Sequence, residues 1–410
     1  MASYNNTSGH ILGLKKISMA LLACLPLLAW YAIPFPVGLG YALVLFISAY
    51  SIVRAKFRIN VLPLAFWCVF AYIAIVWTYR SGFQLWSLFP PGGWLFFIFF
   101  LALVWGVINF DLDYLIKYMR WVVWVSAVLF WIQFILKLST GSAMFCFVPN
   151  LTGAFTYEGM SYAELAAHQL RGARPCSIFM EPSYMAHYYV SYLALVWFAN
   201  DSKTKVLSKE IVFIIITLIA LQSGSGMVAL VALSIVKLFS LYWNAGRTKR
   251  VALILFSIPL IAAAVYFYVG SESGQDMISR SAEFSTEGTS GYTRVVAGFV
   301  MFDQLDFNEQ LFGIPDAKER FGLELWDGSV AFFANGFQTI LLSLGYVGAL
   351  LYLLFYIVLF RKVSLYSKMC LIILLLMSLL ESNYLNPFMM LLTIIPCADY
   401  YINWKQRKAS

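Results

Sequence analysis

The sequence predicts an all-α, polytopic integral membrane protein, one transmembrane domain over residues 1–410, and three observations predict it. Hydrophobic residues make up 61% of the chain and charged ones only 12%, with a mean hydropathy of +0.78; a soluble domain carries roughly a quarter of its residues as charge to coat its surface. The apolar residues gather into about ten to twelve runs near the ~20 residues that a helix needs to cross the hydrocarbon core. The Lys and Arg residues flank those runs instead of forming one patch, so the net charge of +8 and the pI near 9.0 are a topology signal, not a nucleic-acid surface. Soluble enzymes, nucleic-acid binders and disordered scaffolds are excluded on these grounds.

Taken in order, no charge lies between Lys16 and Arg54, and Pro34, Pro36 and Gly38 divide that stretch into spans near 17–33 and 37–53. Leu21-Leu22-Ala23-Cys24 resembles a lipoprotein cleavage site, but apolar sequence continues past Cys24, so an uncleaved first span is expected. Further spans are predicted near 61–79, 92–110, 119–138 and 184–200. The uncharged run from Ile211 to Val236 holds two more, 211–222 and 227–243, parted by Ser223-Gly224-Ser225-Gly226. Spans near 251–269, 337–360, 369–381 and 385–401 complete the set. Lys and Arg of short loops stay on the cytoplasmic side. Lys15, Lys16, Arg54, Lys56, Arg120, Lys209, Arg361 and Lys362 then put both termini inside, with Glu210 and Asp399 among the few acids there.

Cytoplasmic connections are about ten residues or fewer, whereas two outer segments, 139–183 and 270–335, are long. Ordering such loops has an entropic cost that packing or ligand contact must offset, so function is expected there. Amphipathic pieces at Tyr162–Leu170 and Tyr292–Leu305 suggest short helices on the bilayer surface.

The first outer loop ends in Arg171-Gly-Ala-Arg174-Pro-Cys-Ser177-Ile-Phe-Met-Glu181-Pro182-Ser183 and runs straight into a span. Pro182 marks a helix start, and Glu181 either serves that positive helix terminus or acts on a substrate. Ionisable groups at such depth are functional by default. In the second loop, Gly291-Tyr292-Thr-Arg294 precedes an apolar run. The planar guanidinium of Arg294 suits either a diphosphate gripped bidentately or a lipid headgroup phosphate reached by snorkelling.

Other signals are structural. Asp111-Leu-Asp113 copies a metal-binding Asp-x-Asp, but a short inner loop leaves no room for a nucleotide fold, and a helix cap is expected. Gly224-Ser225-Gly226 reads as a helix break. His10, His168 and His187 have no ligand spacing, so no metal or cofactor is expected, although His187 stands six residues after Glu181 and could assist it. Cys146 and Cys176 share the first outer loop, and a disulfide between them is expected in an oxidising compartment.

Several of these elements in order resemble the superfamily of O-antigen polymerases (Wzy-type) and O-antigen ligases. They are the Arg-x-x-Ser-x-Phe-x-Glu-Pro-Ser spacing from Arg174 to Ser183, the Gly/Ser break at 223–226, and Arg294 ahead of Leu311-Phe-Gly-Ile-Pro315. The fourth is Asn335-Gly-Phe-x-x-Ile-Leu-x-x-x-Gly345-Tyr-Val-Gly348. The resemblance covers about residues 140 to 390. It implies a metal-independent, GT-C-like glycosyltransferase of the bacterial inner membrane that moves a growing glycan from undecaprenyl diphosphate onto a lipid-linked repeat unit at the periplasmic face. By the same resemblance Arg174 and Arg294 hold the diphosphate, Glu181 is the acid of the Glu-Pro-Ser motif, and Arg171, Ser177, Ser183, Tyr292 and Asn335 contact substrate. Implied partners are the undecaprenyl-diphosphate-linked repeat units, membrane lipid and a chain-length regulator, with no nucleic acid. Ligases carry a His-Asn pair where this chain has Ala334-Asn335, which favours a polymerase over a ligase. A lipid-linked oligosaccharide flippase is the rival, but the chain shows no internal repeat and almost no charge inside its spans.

Overall fold

The computed structural model describes residues 2–28, 39–54, 101–141, 175–179, 181–199, 208–244, 292–314, 317–324, 330–331, 334–381 and 387–409, with isolated positions 72, 75, 76, 246 and 270. The helices are α1 (Ala2–Leu28), α2 (Leu39–Arg54), α3 (Leu112–Thr140), α4 (Pro182–Phe198), α5 (Lys209–Ala220) and α6 (Gly224–Asn244). A π-helical turn (Thr293–Ala297) comes next, then α7 (Gly298–Asp303), α8 (Phe307–Phe312), α9 (Ala317–Phe321), α10 (Gly336–Lys362), α11 (Leu365–Leu380) and α12 (Pro387–Ala409). One departure from an all-α chain is a two-residue antiparallel pair, β1 (Leu323–Glu324) with β2 (Val330–Ala331). Among the described residues three helices are long and apolar enough to cross a membrane, α3, most of α6 and α10, and shorter apolar helices include Leu39–Tyr50, Leu365–Leu380 and Phe388–Asn403. The expected span at 61–79 is described only at positions 72, 75 and 76, and the span at 251–269, the surface helix at Tyr162–Leu170, and Cys146 with its pairing to Cys176 lie outside the described residues. Tyr292–Leu305 is helical as expected, but begins as a π-turn.

Local signals explain the boundaries. Asp111 caps α3, its Oδ1 accepting from the Tyr114 N–H at 3.2 Å, so the Asp-x-Asp is a cap as its setting predicted. Pro182 opens α4, where its missing N–H is one the helix leaves unbonded anyway. The chain breaks at Leu221–Ser223, with Gln222 at φ 50°, and α6 starts at Gly224. Short α5, at 12 residues, rises only ~18 Å.

The central helix is α4. Every residue from Met185 to Phe198 is buried, as expected of a helix apolar all round. Its tyrosines bind three neighbours: Tyr188 Oη donates to the Ala23 carbonyl of α1 (2.8 Å), Tyr189 Oη to the Val123 carbonyl of α3 (2.9 Å), and Tyr192 Oη to Glu210 of α5 (2.7 Å). Helices α3, α6 and α11 pack around it. The outer faces of α3, α6 and α10 expose Trp121, Val128, Ile135, Val231, Ile235, Leu350 and Leu354, an apolar surface suited to lipid.

Polar side chains gather at opposite ends of this bundle. At one end Arg120 forks onto Glu210 (Nε to Oε1 2.8 Å, Nη2 to Oε2 2.7 Å), and Asp399 Oδ2 accepts from the N–H (2.7 Å) and Oγ (2.5 Å) of Ser364 at the start of α11. At the other end lie the start of α4, the start of α6 and the close of α11.

Helix α10 is broken at Gly345, whose φ of 63° and ψ of −173° are outside any helix. A break frees carbonyls that an apolar setting cannot leave bare. Here the Leu342 carbonyl accepts from the Ile314 N–H (2.8 Å) and the Leu344 carbonyl from Tyr72 Oη (3.2 Å). The Leu311-Phe-Gly313-Ile segment docks into the break so closely that a Cβ on Gly313 would strike the Ser343 carbonyl, and one on Gly345 the Leu311 carbonyl and Gly313 nitrogen. Gly345→Ala therefore combines a positive-φ backbone penalty of ~1–3 kcal/mol with a backbone clash. Gly141→Ala incurs the first alone, since Gly141 has φ 73° and open space around it. Thermal unfolding in detergent is expected to show a clearly larger drop in Tm for Gly345→Ala; equal drops would contradict the docked break.

Candidate functional site

Four stretches that the sequence sets far apart meet at one end of the bundle, and a carboxylate joins three of them. Glu381 terminates α11 and is 6% exposed. Its Oε1 accepts from Ser225 Oγ in the first turn of α6 at 2.6 Å, and its backbone carbonyl accepts from the Gly336 N–H that opens α10 at 2.8 Å. A negative group at a helix C-terminus opposes that helix's own dipole, whereas the N-termini of α6 and α10 favour it. Next to Ser225, Gly226 is pressed against Ala186 of α4, where a Cβ would overlap the Ala186 methyl. Glu181 lies five residues before Ala186, ~7.5 Å further along the helix axis.

Asn335 and Gln338 form a reciprocal capping box at the start of α10, the Gln338 N–H donating to Asn335 Oδ1 (2.8 Å) and the Asn335 N–H to Gln338 Oε1 (3.1 Å). Both side chains then reach out: Asn335 Nδ2 donates to the Leu379 carbonyl (3.1 Å) and Gln338 Nε2 to the Val295 carbonyl (2.8 Å). The second bond ties down the π-turn, so the backbone of Arg294 is fixed beside the start of α10, and the turn also packs on α11.

Leading into α4, the Pro175–Phe179 segment is hung from α3 by Gln133, whose Oε1 accepts from the N–H groups of Cys176 (3.2 Å) and Ser177 (2.7 Å). Ser177 adopts φ 58°, is fully buried, and its Oγ has no hydrogen-bond partner among the described residues. Glu181 occupies the N-cap of α4 without a capping bond from its side chain, and Ser183 Oγ donates to its Oε2 at 3.2 Å. Its carboxylate is thus not used as the helix cap.

Of the residues singled out in the sequence, Glu181, Ser183, Asn335 and the backbone of Arg294 come to this end, with Tyr292 beginning the π-turn. The side chain of Arg294, and all of Arg171 and Arg174, fall outside the described residues. Asn335 is 3% exposed and its side chain serves as cap and strut. His187 does not assist Glu181 by any hydrogen bond: it is buried, stands 6.4 Å from the Phe388 ring, and its Nδ1 has no partner among the described residues. Six residues along a helix turn a side chain through ~600°, well away from the face of the first. Sequence reasoning missed Glu381, Ser225, Gln338 and Gln133. For Glu381 a signal existed, since it is the only charged residue between Lys368 and Asp399, an ionisable group in an otherwise apolar stretch.

A family model described as WcaD colanic acid polymerase matches residues 22–398. No curated protein matches the chain.

The Ser225–Glu381 contact carries its own prediction. Glu381→Ala removes a hydrogen bond to a charged group worth ~1.5–3 kcal/mol, whereas the amide carbonyl of Glu381→Gln still accepts from Ser225. Melting curves of the purified protein are expected to place Gln well above Ala; Ala melting with wild type would contradict the node.

Proposed function

Because the chain belongs to the WcaD colanic acid polymerase family, a family of membrane-bound polysaccharide polymerases and so of glycosyltransferases, we propose that it lengthens a glycan held on undecaprenyl diphosphate by transferring it onto a lipid-linked repeat unit. The reaction takes place at the periplasmic face of the bacterial inner membrane, in a multi-pass protein with both termini inside. The observation that carries this reading is the meeting of the α4 start at Glu181, the α6 start, the Asn335 cap and the Arg294 backbone at a single end of the bundle. That end is the one where basic residues are sparse.

The chemistry is set by the donor. An anomeric carbon bonded to a diphosphate already has a good leaving group, so the enzyme has to orient the acceptor and stabilise departing negative charge. The acceptor hydroxyl oxygen attacks the anomeric carbon, and the carbon–oxygen bond to the diphosphate breaks with its electron pair moving to the diphosphate. The hydroxyl proton passes to Glu181. Arg174 and Arg294 supply fixed positive charge at the departing diphosphate, aided by the N-terminal dipoles of α6 and α10. These charges do the work without a metal ion. Ser183 steadies the Glu181 carboxylate at 3.2 Å, Arg171 and Tyr292 shape the surroundings of the sugar, and the buried Ser177 and Asn335 hold the backbone behind it. A chain-length regulator is the protein partner that fits such an enzyme. The ligase reading is disfavoured by Ala334 standing where ligases have His.

The test is the surface polysaccharide of a deletion strain complemented with wild type, Arg174→Ala, Arg294→Ala or Glu181→Ala at matched membrane levels. Loss of an electrostatic donor is expected to slow transfer by on the order of 10²- to 10³-fold and loss of Glu181 by ~10²- to 10⁴-fold, each collapsing the ladder of chain lengths to a single repeat. A normal ladder in the deletion strain would refute a polymerase, and a normal ladder in the three variants would refute this placement of the site.

A further inference from the structure

Gln338 has both ends of its buried amide engaged, but only one end serves the helix it belongs to. Oε1 completes the capping box with Asn335, as Gln or Glu at that position does in many helices. Nε2 instead donates across 43 positions of sequence to the Val295 carbonyl, at 2.8 Å. Gly298, the residue closing the π-turn, lies directly against the Gln338 side chain, so tightly that a Cβ would overlap it. Turn and glutamine are therefore fitted to each other at two points.

The turn itself is unusual. A π-helical turn holds one residue more than the α-helical path and leaves its ladder of i→i+4 bonds interrupted; such turns are rare and concentrate at functional sites. The added residue rotates the chain on its N-terminal side by ~100° relative to the chain on its C-terminal side. Relaxing Thr293–Ala297 into α-helix would swing Thr293 and Arg294 by about that angle against α7 and α10. Within this interrupted stretch the Val295 carbonyl accepts a hydrogen bond from outside its own helix, from Gln338 Nε2.

We propose that Gln338 is a positioning residue of the polymerase: by bonding the Val295 carbonyl it keeps the turn π-helical and so fixes the backbone from which Arg294 addresses the diphosphate. This rests on the role given to Arg294 above. Asn335 contributes by holding Gln338 in place, and Leu379 by holding Asn335.

The discriminating variant is Gln338→Glu, since Glu also completes a capping box but has no N–H to give Val295. Three quantities are measured: the polysaccharide ladder at matched membrane levels, the Tm of the purified protein, and the rate at which a cysteine at 294 (Arg294→Cys) reacts with a membrane-impermeant maleimide in the Gln338 and Gln338→Glu backgrounds. The expected result is a Tm lowered by the loss of one buried hydrogen bond but still well above the assay temperature, a transfer rate lower by ~10²-fold at that temperature, as small misplacements of a reacting geometry produce, and a several-fold change in labelling at 294. Should Gln338→Glu fail to accumulate, Gln338→Asn replaces it, with an amide one methylene too short to reach Val295. Wild-type polymer from the variant, an unchanged labelling rate, or a loss of activity that only tracks a fall in Tm each overturns the proposal. If Arg294→Ala makes normal polymer, the role of Arg294 falls and this one with it; if Arg294→Ala is inactive while Gln338→Glu is normal, only the role of Gln338 falls.

Discussion

The capping box that opens α10 is the constraint on which the rest of the site depends. Two side chains that would ordinarily do no more than satisfy a helix terminus here extend to both neighbours, Asn335 to the last turn of α11 and Gln338 to the π-turn at Thr293–Ala297. The Gly336 N–H adds a third tie, to Glu381. In an apolar bundle these groups have few competing partners and little water, so each bond is worth more than at a wet surface and its loss strands a buried polar atom. The helix start is consequently a fixed reference against which α6, α11 and the backbone of Arg294 are set.

Two other departures from regular structure serve the same end of the molecule. The break at Gly345 gives up helical bonds in α10 and regains them from Ile314 and Tyr72, which locks Leu311–Ile314 against the bundle. The turn held by Gln133 leads into α4, which is buried from Met185 to Phe198 and packed on several sides by the other described helices. The proposed transfer, which expels a diphosphate, requires dipoles and charges that are already in place, since reorienting them during reaction would add to the barrier. A rigid polar end on an apolar bundle meets that requirement.

The bundle is readable in the sequence because apolar run length, Pro182, the Asp111 cap and the Ser223–Gly226 break are local signals. Each depends on residues close together in the chain. The candidate site is readable only in part. Glu181 and Asn335 stand in recognisable spacings, but the partners that give them a setting come from elsewhere: Glu381 from 156 positions beyond Ser225, Val295 from 43 before Gln338, Tyr72 from 272 before Leu344. No periodicity encodes such pairs. Gly345 is visible as part of a motif, yet its left-handed backbone becomes necessary only once Leu311–Ile314 is seen to fill the break. Asn335 is likewise visible as part of a motif, but nothing among its neighbours in the chain foretells its burial as a strut to α11.

Purified protein in lipid nanodiscs, given undecaprenyl-diphosphate-linked repeat unit isolated from a strain lacking the polymerase, provides the most direct measurement. Free undecaprenyl diphosphate and glycan length would be followed together in the presence of a chelator. The account predicts that chains grow and that one undecaprenyl diphosphate is released for each new glycosidic bond. Release without chain growth, growth that stops when the chelator is added, or no reaction from well-folded protein would contradict it.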